Sequence, residues 1–549
     1  MSTRTGVCNF CGTGCGHLLD VRDGAVRGVF ASPGHPVSRG RLCVRGWHIH
    51  ELLATRERIV SPAIRTDGRL RPVPYEEALA YAADRLGRYS GDELAFLASP
   101  RASNEDNFLM ARLARTVCRT PHIGLASDQG HGAAAEVLLE GTGWPAMSGS
   151  LAEVRKARFI LVVGSDIAKL NPIVGSEIHL AARGGARLVL LAPRSAQMAR
   201  LSGDHLWTRP GSLRHVLAAA AKVLVEKGWH DEAFVRERTE GFDGFARSLA
   251  GLDLEALAAA SGLTVPVIED LARGLAQAPA AMAFFTTGIA SLDRDTVALL
   301  HGLFLAAGKT GREGCGVNPV PGVANIVGAT DVGASNRFLA GHRRAEGPEA
   351  GRTPRELLAD PASPLKALVA ADRDEGIVRH AGRIKGLELL LYIGAYTNPF
   401  ADLAHVVLPA ASYAEADGTY TNAERRVQLN RKKVEPPPGV RPAWRVYADL
   451  AAKLGAAWTF DSAEAVMAGI AAAAPAYAGV TYAKLERGHG LQWPVDAARP
   501  DGTVRLDAAA GPRRLRFVAV PASLQAPAPS AEFPFLLMAG KANYFWHRN

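Results

Sequence analysis

Apolar, strand-like runs alternate with alanine- and leucine-rich stretches of helical spacing through the middle of the chain. The most apolar runs lie at 158–164, 186–194, 281–288 and 387–394, and each ends at or beside a glycine or proline. Strands that alternate with helices favour parallel sheets covered by helices. The sequence therefore predicts an α/β fold with largely parallel sheets.

The segment 214–229, RHVLAAAAKVLVEKGW, has the apolar periodicity of a helix. Gly228 stands where helices commonly end. The pattern predicts a helix that packs against the core rather than a cofactor-binding segment.

Length and composition describe an ordinary folded protein. The chain has 549 residues, of which 48% are hydrophobic and 21% charged, so it is neither disordered nor a small disulfide scaffold. No apolar stretch reaches the ~18–20 residues of a membrane span, and the start, MSTRTGVCNF, lacks an apolar signal core. We therefore expect a cytoplasmic protein. The net charge of +9 is spread along the chain, which predicts no nucleic-acid partner.

Four of the six cysteines, Cys8, Cys11, Cys15 and Cys43, fall near the amino terminus. Their spacing is C-x2-C-x3-C, then 27 residues and the fourth cysteine. Closely spaced thiolates closed by a distant fourth suit a [4Fe-4S] cluster. A single zinc ion is one alternative, although zinc sites more often pair two short C-x-x-C motifs. Four buried, inert thiols are the other.

The segment between the third and fourth cysteines predicts two short strands joined at Asp23 and Gly24, because an aspartate–glycine pair favours a hairpin turn. The four cysteines then belong to a small β-rich unit. Arg45 follows the fourth cysteine. As a permanent cation, it is a candidate electron-relay residue between the cluster and a second redox group, with a surface arginine as the alternative.

Several stretches resemble the molybdopterin oxidoreductase family. They are VCNFCGTGCG, SPGHPVSRGRLCVRG, and the segments at 98–115, 316–334 and 405–428. The chain is similar to the formate dehydrogenase catalytic subunits of that family. It also resembles the molybdenum-free large iron–sulfur subunit of NADH:quinone oxidoreductase.

The resemblance implies a discontinuous domain order. A [4Fe-4S] domain would span 1–60 and be completed by about 415–540, with two α/β domains at 61–125 plus about 325–414 and at 126–324. In the family a terminal β-rich pterin-binding domain follows. We expect that domain to be missing here or supplied by another chain, because the sequence stops at KANYFWHRN.

The resemblance also locates the formate-oxidising site. Enzymes of the family use a metal bound by two pterins and one cysteine or selenocysteine, with a neighbouring histidine and an arginine that holds the carboxylate. The ligand position is Gly130, the histidine is His131 and the arginine position is Pro321. His131 is therefore the one candidate catalytic residue that remains, either as a proton-transfer residue or as a relic of the lost site.

Six positions match the family's cofactor-binding stretches: Gly164, Ser165, Pro193, Arg194, Arg209 and Gly211. A glycine turn after a strand lets the backbone approach a phosphate. At 371–374, however, the chain reads ADRD, and acidic side chains would repel a pterin diphosphate. The sequence leaves open whether molybdopterin guanine dinucleotide binds.

The resemblance predicts an iron–sulfur electron-transfer subunit of a formate dehydrogenase or NADH dehydrogenase type of complex, without its own formate-oxidising site. Its partners would be iron–sulfur, flavin- or NAD-binding chains, on the cytoplasmic face of a membrane complex or free in the cytoplasm. The alternative is an active molybdenum or tungsten bis-pterin oxidoreductase completed by a partner chain. The third hypothesis is a structural subunit in which the cluster only stabilises the amino-terminal loop.

Overall fold

The four apolar runs are strands in a computed structural model of the chain. They are Phe159–Val163, Arg187–Ala192, Ala281–Thr287 and Leu389–Gly394. All but one of their residues are buried, as expected for strands covered on both faces. The predicted α/β class with largely parallel sheets is confirmed.

The structure describes residues 2–200, 204–288, 291–506, 514–520, 524 and 529–538. The segment 541–549, where the sequence places the start of the missing domain, lies outside them. The described residues form two compact units. The amino-terminal unit contains 2–128 and 323–502, and the inserted unit contains 129–322 and the described part of 503–538. The finer three-domain division stays a prediction.

In the described part of the amino-terminal unit, one sheet has seven strands. Their order is Arg69–Pro72, Ala63–Thr66, Val406–Pro409, Leu389–Gly394, Ala367–Ala370, Leu94–Ala98 and Ile123–Leu125. The last five run parallel, and the first two pair antiparallel. Leu368 lies opposite both Leu390 and Ala95 in this register.

The same unit has two small antiparallel sheets. The first is Ser2–Val7, Gly16–Arg22 and Ala25–Ala31, and the second is Gly418–Thr421, Arg426–Asn430 and Leu491–Gln492. Asp23 and Gly24 both have positive φ, 50° and 72°, as a tight hairpin turn of this kind requires. The predicted hairpin is confirmed.

Helices cover these sheets. Those described in the amino-terminal unit are Val44–Trp47, Tyr75–Leu86, Asn104–Arg112, Ile326–Asp331, Pro354–Ala359, Glu375–Val378, Ala381–Lys385, Pro399–Leu403, Ala443–Lys453, Ala463–Ala473 and Tyr482–Glu486. A π-helical turn, Leu113–Val117, extends one of them. Short 3-10 turns are Ile49–Leu53, Gly91–Glu93, Ala340–His342, Gly347–Glu349 and Pro475–Tyr477.

The inserted unit is built on a parallel sheet with five described strands. Their order is Asp204–Trp207, Arg187–Ala192, Phe159–Val163, Ala281–Thr287 and Gly316–Pro321. Its described helices are His131–Thr142, Ile167–Leu170, Pro172–Arg183, Leu213–Glu226, Glu232–Arg238, Phe242–Ala250, Leu254–Ser261, Val265–Gln277 and Arg294–Ala306. Leu151–Lys156 and Gln197–Arg200 are 3-10 turns, and Thr239–Glu240 pairs with Leu515–Arg516.

The helix Leu213–Glu226 matches the one predicted at 214–229. Its chain turns away at Gly228, where φ is 66°. Val216, Leu217 and Leu224 are fully buried in the unit's hydrophobic core, so the segment packs as predicted. Among the described residues, no helix has both the length and the apolar character that a membrane crossing demands.

Candidate functional site

The first three cysteines lie on one tight loop between paired strands. Cys8 directly follows Ser2–Val7, and Cys15 directly precedes Gly16–Arg22. The Cys8 amide donates to the Cys15 carbonyl at 2.8 Å, and the Gly14 amide donates to the Cys11 carbonyl at 3.2 Å. Because Val7 and Gly16 are paired in the sheet, the hairpin closes the loop from both ends.

The structure brings Cys43 and Arg45 to the same place. Cys43 immediately precedes the short helix Val44–Trp47. Burial alone would lower the pKa of Arg45, but the Cys11 and Cys43 sulfurs, with a hydrogen bond from Arg45 to Cys43, raise it. Arg45 is only 7% exposed, and its guanidinium lies close enough to these sulfurs to stabilise thiolate charge.

None of the four thiols is in a disulfide, and three of them are buried. Burial is the main cause that raises the pKa of Cys8, followed by Cys11 and Cys43. The pKa of Cys15 is raised in the same way by burial and by the other three cysteines. Four thiolates in one enclosure repel one another unless a cationic centre binds them.

This donor set fits a [4Fe-4S] cluster, which takes four cysteine thiolates. Among the described residues, no three His, Cys, Asp or Glu side chains are arranged to hold a single metal ion. We call residues 8–15, with Cys43 and Arg45, the cysteine loop. The assignment of its four sulfurs as ligands remains a prediction.

Glycines in the loop make room for the protein that packs behind it. Gly14 has φ of 61°, and a Cβ there would lie 2.5 Å from Gln428 Nε2. A Cβ on Gly16 would lie 2.3 Å from the His35 ring. Glycines between closely spaced cysteines let the backbone wrap tightly round a bulky inorganic core. The structure adds a second reason, which is close contact with buried polar side chains.

Asn422 and Ala423 support the cysteine loop through contacts that the sequence did not reveal. The Asn422 amide donates to the Thr13 carbonyl at 3.1 Å, and the Ala423 backbone amide donates to the Gly12 carbonyl at 2.6 Å. The stretch 405–428 signalled family resemblance but carried no local pattern for this role. The loop is therefore held by residues about 400 positions away in the chain.

A buried carboxylate anchors the support strand Gly418–Thr421. Glu105 is fully buried, and its carboxylate accepts hydrogen bonds from the Thr419 amide at 2.8 Å and from the Thr419 and Tyr482 hydroxyls, both at 3.0 Å. Burial raises the pKa of Glu105 to about 7, although these hydrogen bonds oppose the shift.

This raised pKa predicts a pH-dependent stability. Between pH of about 4.5 and about 7, the unfolded chain loses the Glu105 proton while the folded chain keeps it, so stability falls as pH rises. The wild type should therefore lose about 3 kcal/mol more unfolding free energy than Glu105→Gln across this range. Denaturant unfolding at pH 4.5 and pH 7.5 measures the difference. The exposed control Glu77→Gln should behave as wild type; equal pH slopes for all three proteins would contradict the prediction.

The predicted cofactor-binding residues lie in the inserted unit, at the carboxyl ends of its parallel strands. Gly164, with φ of 71°, and the buried Ser165 follow Phe159–Val163. Pro193 and the half-exposed Arg194 follow Arg187–Ala192. Arg209, which is exposed, and Gly211, with φ of 76°, follow Asp204–Trp207. Ligands of open α/β sheets bind at this edge.

His131 lies at the same edge. It is 3% exposed, and its Nδ1 is 3.0 Å from the Thr287 hydroxyl, at the end of Ala281–Thr287. Gly130 precedes it with φ of 72°, and a Cβ there would lie 2.5 Å from the Ser291 Cβ. Pro321 ends its strand, and its carbonyl accepts from the Asn171 amide at 2.9 Å. Neither position 130 nor position 321 offers a metal ligand or a cation.

The acidic side chains at 371–374 form hydrogen bonds and ion pairs within the amino-terminal unit. Asp372 accepts from the Ser99 hydroxyl at 2.6 Å and lies 3.4 Å from Arg101. Asp374 is paired with Arg355 at 2.7 Å and accepts from the Ser127 amide at 2.9 Å. These carboxylates occupy the carboxyl end of the strand Ala367–Ala370, where their arginine partners offset the repulsion of a phosphate that the sequence predicted.

Comparison with known proteins gives two family matches. The model described as Molybdopterin oxidoreductase matches residues 58–453, and the model described as Molybdopterin oxidoreductase Fe4S4 domain matches residues 1–54. These matches confirm the family resemblance, and the second supports the predicted [4Fe-4S] cluster.

Curated relatives support the same family. An F420-dependent formate dehydrogenase 2 subunit alpha of Methanococcus maripaludis is 32% identical over 90% of this chain and 77% of its own. An F420-dependent formate dehydrogenase subunit alpha of Methanocaldococcus jannaschii is 30% identical, over 98% and 84%. A probable oxidoreductase, YjgC, of Bacillus subtilis is 30% identical over 90% of this chain and 53% of its own.

Among solved structures, acetylene hydratase from Pelobacter acetylenicus matches with a TM-score of 0.71 and 15% identity, over 97% of this chain and 80% of its own. At that identity the likeness supports the fold alone.

Proposed function

Because this chain belongs to the molybdopterin oxidoreductase family, we propose that it is an iron–sulfur electron-transfer subunit of a formate dehydrogenase type of complex. Four cysteines at the cysteine loop hold one [4Fe-4S] cluster: Cys8, Cys11, Cys15 and Cys43. The observation that carries the proposal is the contrast between these four free cysteines, three of them buried, and position 130, which has no ligand and no room for one.

When bound, the cluster takes up and releases single electrons. The chain's own residues hold it, keep water away and set its charge environment. Arg45 contributes a buried positive charge beside Cys11 and Cys43, which favours the reduced, more negative state. Arg45 is thus the residue expected to assist electron transfer through this region.

The proposed subunit has no formate-oxidising site of its own. Gly130 and Pro321 replace the metal ligand and the carboxylate-binding arginine that the family resemblance implies, and Asp372 and Asp374 are engaged in internal contacts. His131, held beside Thr287, lacks the groups with which it would act. No catalytic step is therefore assigned to this chain.

Electron transfer requires neighbours within tunnelling distance. Two of the relatives are named as alpha subunits, which supports partner chains that carry further redox groups. We propose iron–sulfur or flavin- and NAD-binding subunits as these partners, in the cytoplasm.

The second candidate function is an active molybdenum or tungsten enzyme completed by a partner chain. It is favoured by the alignment of Gly164, Arg194 and Arg209 with His131 along one carboxyl edge. A chain that binds a pterin nucleotide at this edge but supplies no ligand to its metal would be intermediate between the two functions.

Metal analysis distinguishes the two functions. We expect anaerobically purified protein, expressed with molybdate and tungstate supplied, to contain about four iron atoms per chain and neither molybdenum nor tungsten. Mass spectrometry of metals and chromatography of released pterins measure this. Stoichiometric molybdenum or tungsten with pterin would overturn the proposal in favour of the enzyme, and iron-free protein would overturn both.

A further inference from the structure

Gln428 is a buried polar residue at the cysteine loop with an unused hydrogen-bond donor. It lies on the strand Arg426–Asn430 and is 2% exposed. Its side-chain nitrogen, Nε2, has no hydrogen-bond partner among the residues that the structure describes. A buried N–H group without an acceptor is costly, because it has lost its hydrogen bonds to water and gained none in return. Such a group in a folded protein calls for a partner that the polypeptide itself does not provide.

The orientation of the Gln428 amide is fixed by His35. The Ser38 backbone amide donates to His35 Nδ1 at 3.3 Å, so this nitrogen is the acceptor of the ring. His35 Nε2 therefore carries the hydrogen and donates it to Gln428 Oε1, 2.6 Å away. Burial lowers the pKa of His35 to about 4, so the ring keeps this single-proton form at neutral pH. The amide nitrogen is thereby directed away from His35.

The other side of the amide faces the cysteine loop. Gln428 Nε2 lies so close to Gly14 that a Cβ on Gly14 would be only 2.5 Å from it. Gly14 stands directly before Cys15 and three residues after Cys11. The unused donor is thus placed against the part of the loop that carries two of the proposed ligands.

Four carbonyl groups of the loop already have donors. The carbonyls of Cys11, Gly12, Thr13 and Cys15 accept from Gly14, Ala423, Asn422 and Cys8, respectively. Sulfur atoms of bound iron–sulfur clusters accept hydrogen bonds from N–H groups, and these bonds help to set the reduction potential.

We propose that Gln428 donates a hydrogen bond to a sulfur of the bound cluster or of its cysteine ligands and thereby raises the cluster's reduction potential. This inference rests on the proposed function. The reaction affected is the uptake of one electron by the oxidised cluster from a one-electron donor, which makes the cluster more negative by one charge. An N–H donor stabilises that added charge, so it favours the reduced state. Gln428 is a positioning residue that tunes the cluster and takes no part in a chemical step of its own.

Gln428→Leu tests the proposal through the reduction potential. In a titration with dithionite monitored by electron paramagnetic resonance, we expect the ratio of reduced to oxidised cluster at a given potential to fall about tenfold. For a one-electron couple this moves the midpoint by ~59 mV to more negative values. Gln428→Met, which is unbranched and has no donor, should give the same shift.

Gln492→Leu is the matched control. Gln492 is also buried, on the neighbouring strand, but its Nε2 already donates to the Glu424 carbonyl at 2.9 Å. We expect this variant to keep the wild-type midpoint. Unchanged midpoints in Gln428→Leu and Gln428→Met, with iron content intact, would overturn the inference and leave the proposed function standing. A wild-type chain without iron would instead overturn the proposed function.

Pulsed electron paramagnetic resonance gives a readout that does not depend on the variants being stable. In wild-type protein with ¹⁵N in the glutamine side chains, the reduced cluster should show a coupling to one such nitrogen. The coupling should persist in Gln492→Leu and be absent from any Gln428 variant that retains iron. Absence of the coupling from the wild type would overturn the inference even if both Gln428 variants lose the cluster.

Discussion

Replacing Cys11 with serine is expected to remove the cluster. Iron in the anaerobically purified protein should fall from about four atoms per chain to nearly none, and the brown absorbance should disappear. A serine hydroxyl stays protonated at neutral pH and is a harder ligand than a thiolate, so it binds the cluster's iron poorly. The loop also provides no spare thiol, because each of its cysteines is already assigned as a ligand. Iron analysis and visible absorbance measure the result.

Cys118→Ser is the matched control. Cys118 is also a buried free thiol of the amino-terminal unit, 5% exposed, and burial raises its pKa to about 12. It lies outside the cysteine loop, so we expect the iron content to remain at the wild-type value. If Cys11→Ser kept its colour and iron, the ligand assignment would be wrong.

Gly130→Cys, which restores the ligand type that the family resemblance implies, should destabilise the protein by about 2–5 kcal/mol. Two costs add. A φ of 72° is unfavourable for any residue with a Cβ, and that Cβ would lie 2.5 Å from the Ser291 Cβ. The double variant with Pro321→Arg should also show no formate oxidation, because residues 371–374 also depart from the cofactor-binding stretch of the family.

Denaturant unfolding and a formate-dependent dye-reduction assay measure these effects. Gly185→Ala separates the two costs, since Gly185 also has a positive φ, 95°, but has open space around its Cβ position. We expect Gly185→Ala to lower the free energy of unfolding by the backbone cost alone. Gly130→Ala should lower it by the backbone cost and the crowding cost together. Formate oxidation by the double variant would mean that a bound metal centre had survived, and the proposed function would fail.

Much of the fold could be predicted because its signals are local. A strand such as Ala281–Thr287 is a short, fully buried run, and the turn at Asp23 and Gly24 is determined by two adjacent residues with positive φ. The helix at Leu213–Glu226 shows its apolar periodicity within a single segment. These features depend on neighbours in the sequence, so the sequence alone reveals them.

The candidate site was only partly predictable. The spacing of Cys8, Cys11 and Cys15 is a local signal, and it located the loop. The roles of Gln428 and Asn422 arise from contacts with residues about 400 positions away, and no periodicity marks such contacts. In the same way, the sequence shows that Gly130 lacks a ligand, but the crowding by Ser291 exists only in the folded structure.

The long separation between the cysteine loop and its support affects how the protein is made. The cysteines at 8–15 leave the ribosome well before their support, since Asn422 is added more than 400 residues after Cys8. At ~5–20 residues per second, synthesis leaves the cysteines without their native surroundings for about 20–80 s. During that time the thiols are open to oxidation and to incorrect metals. Iron–sulfur assembly on this chain is therefore expected to follow translation, and delivery of the cluster to the nascent loop would be premature.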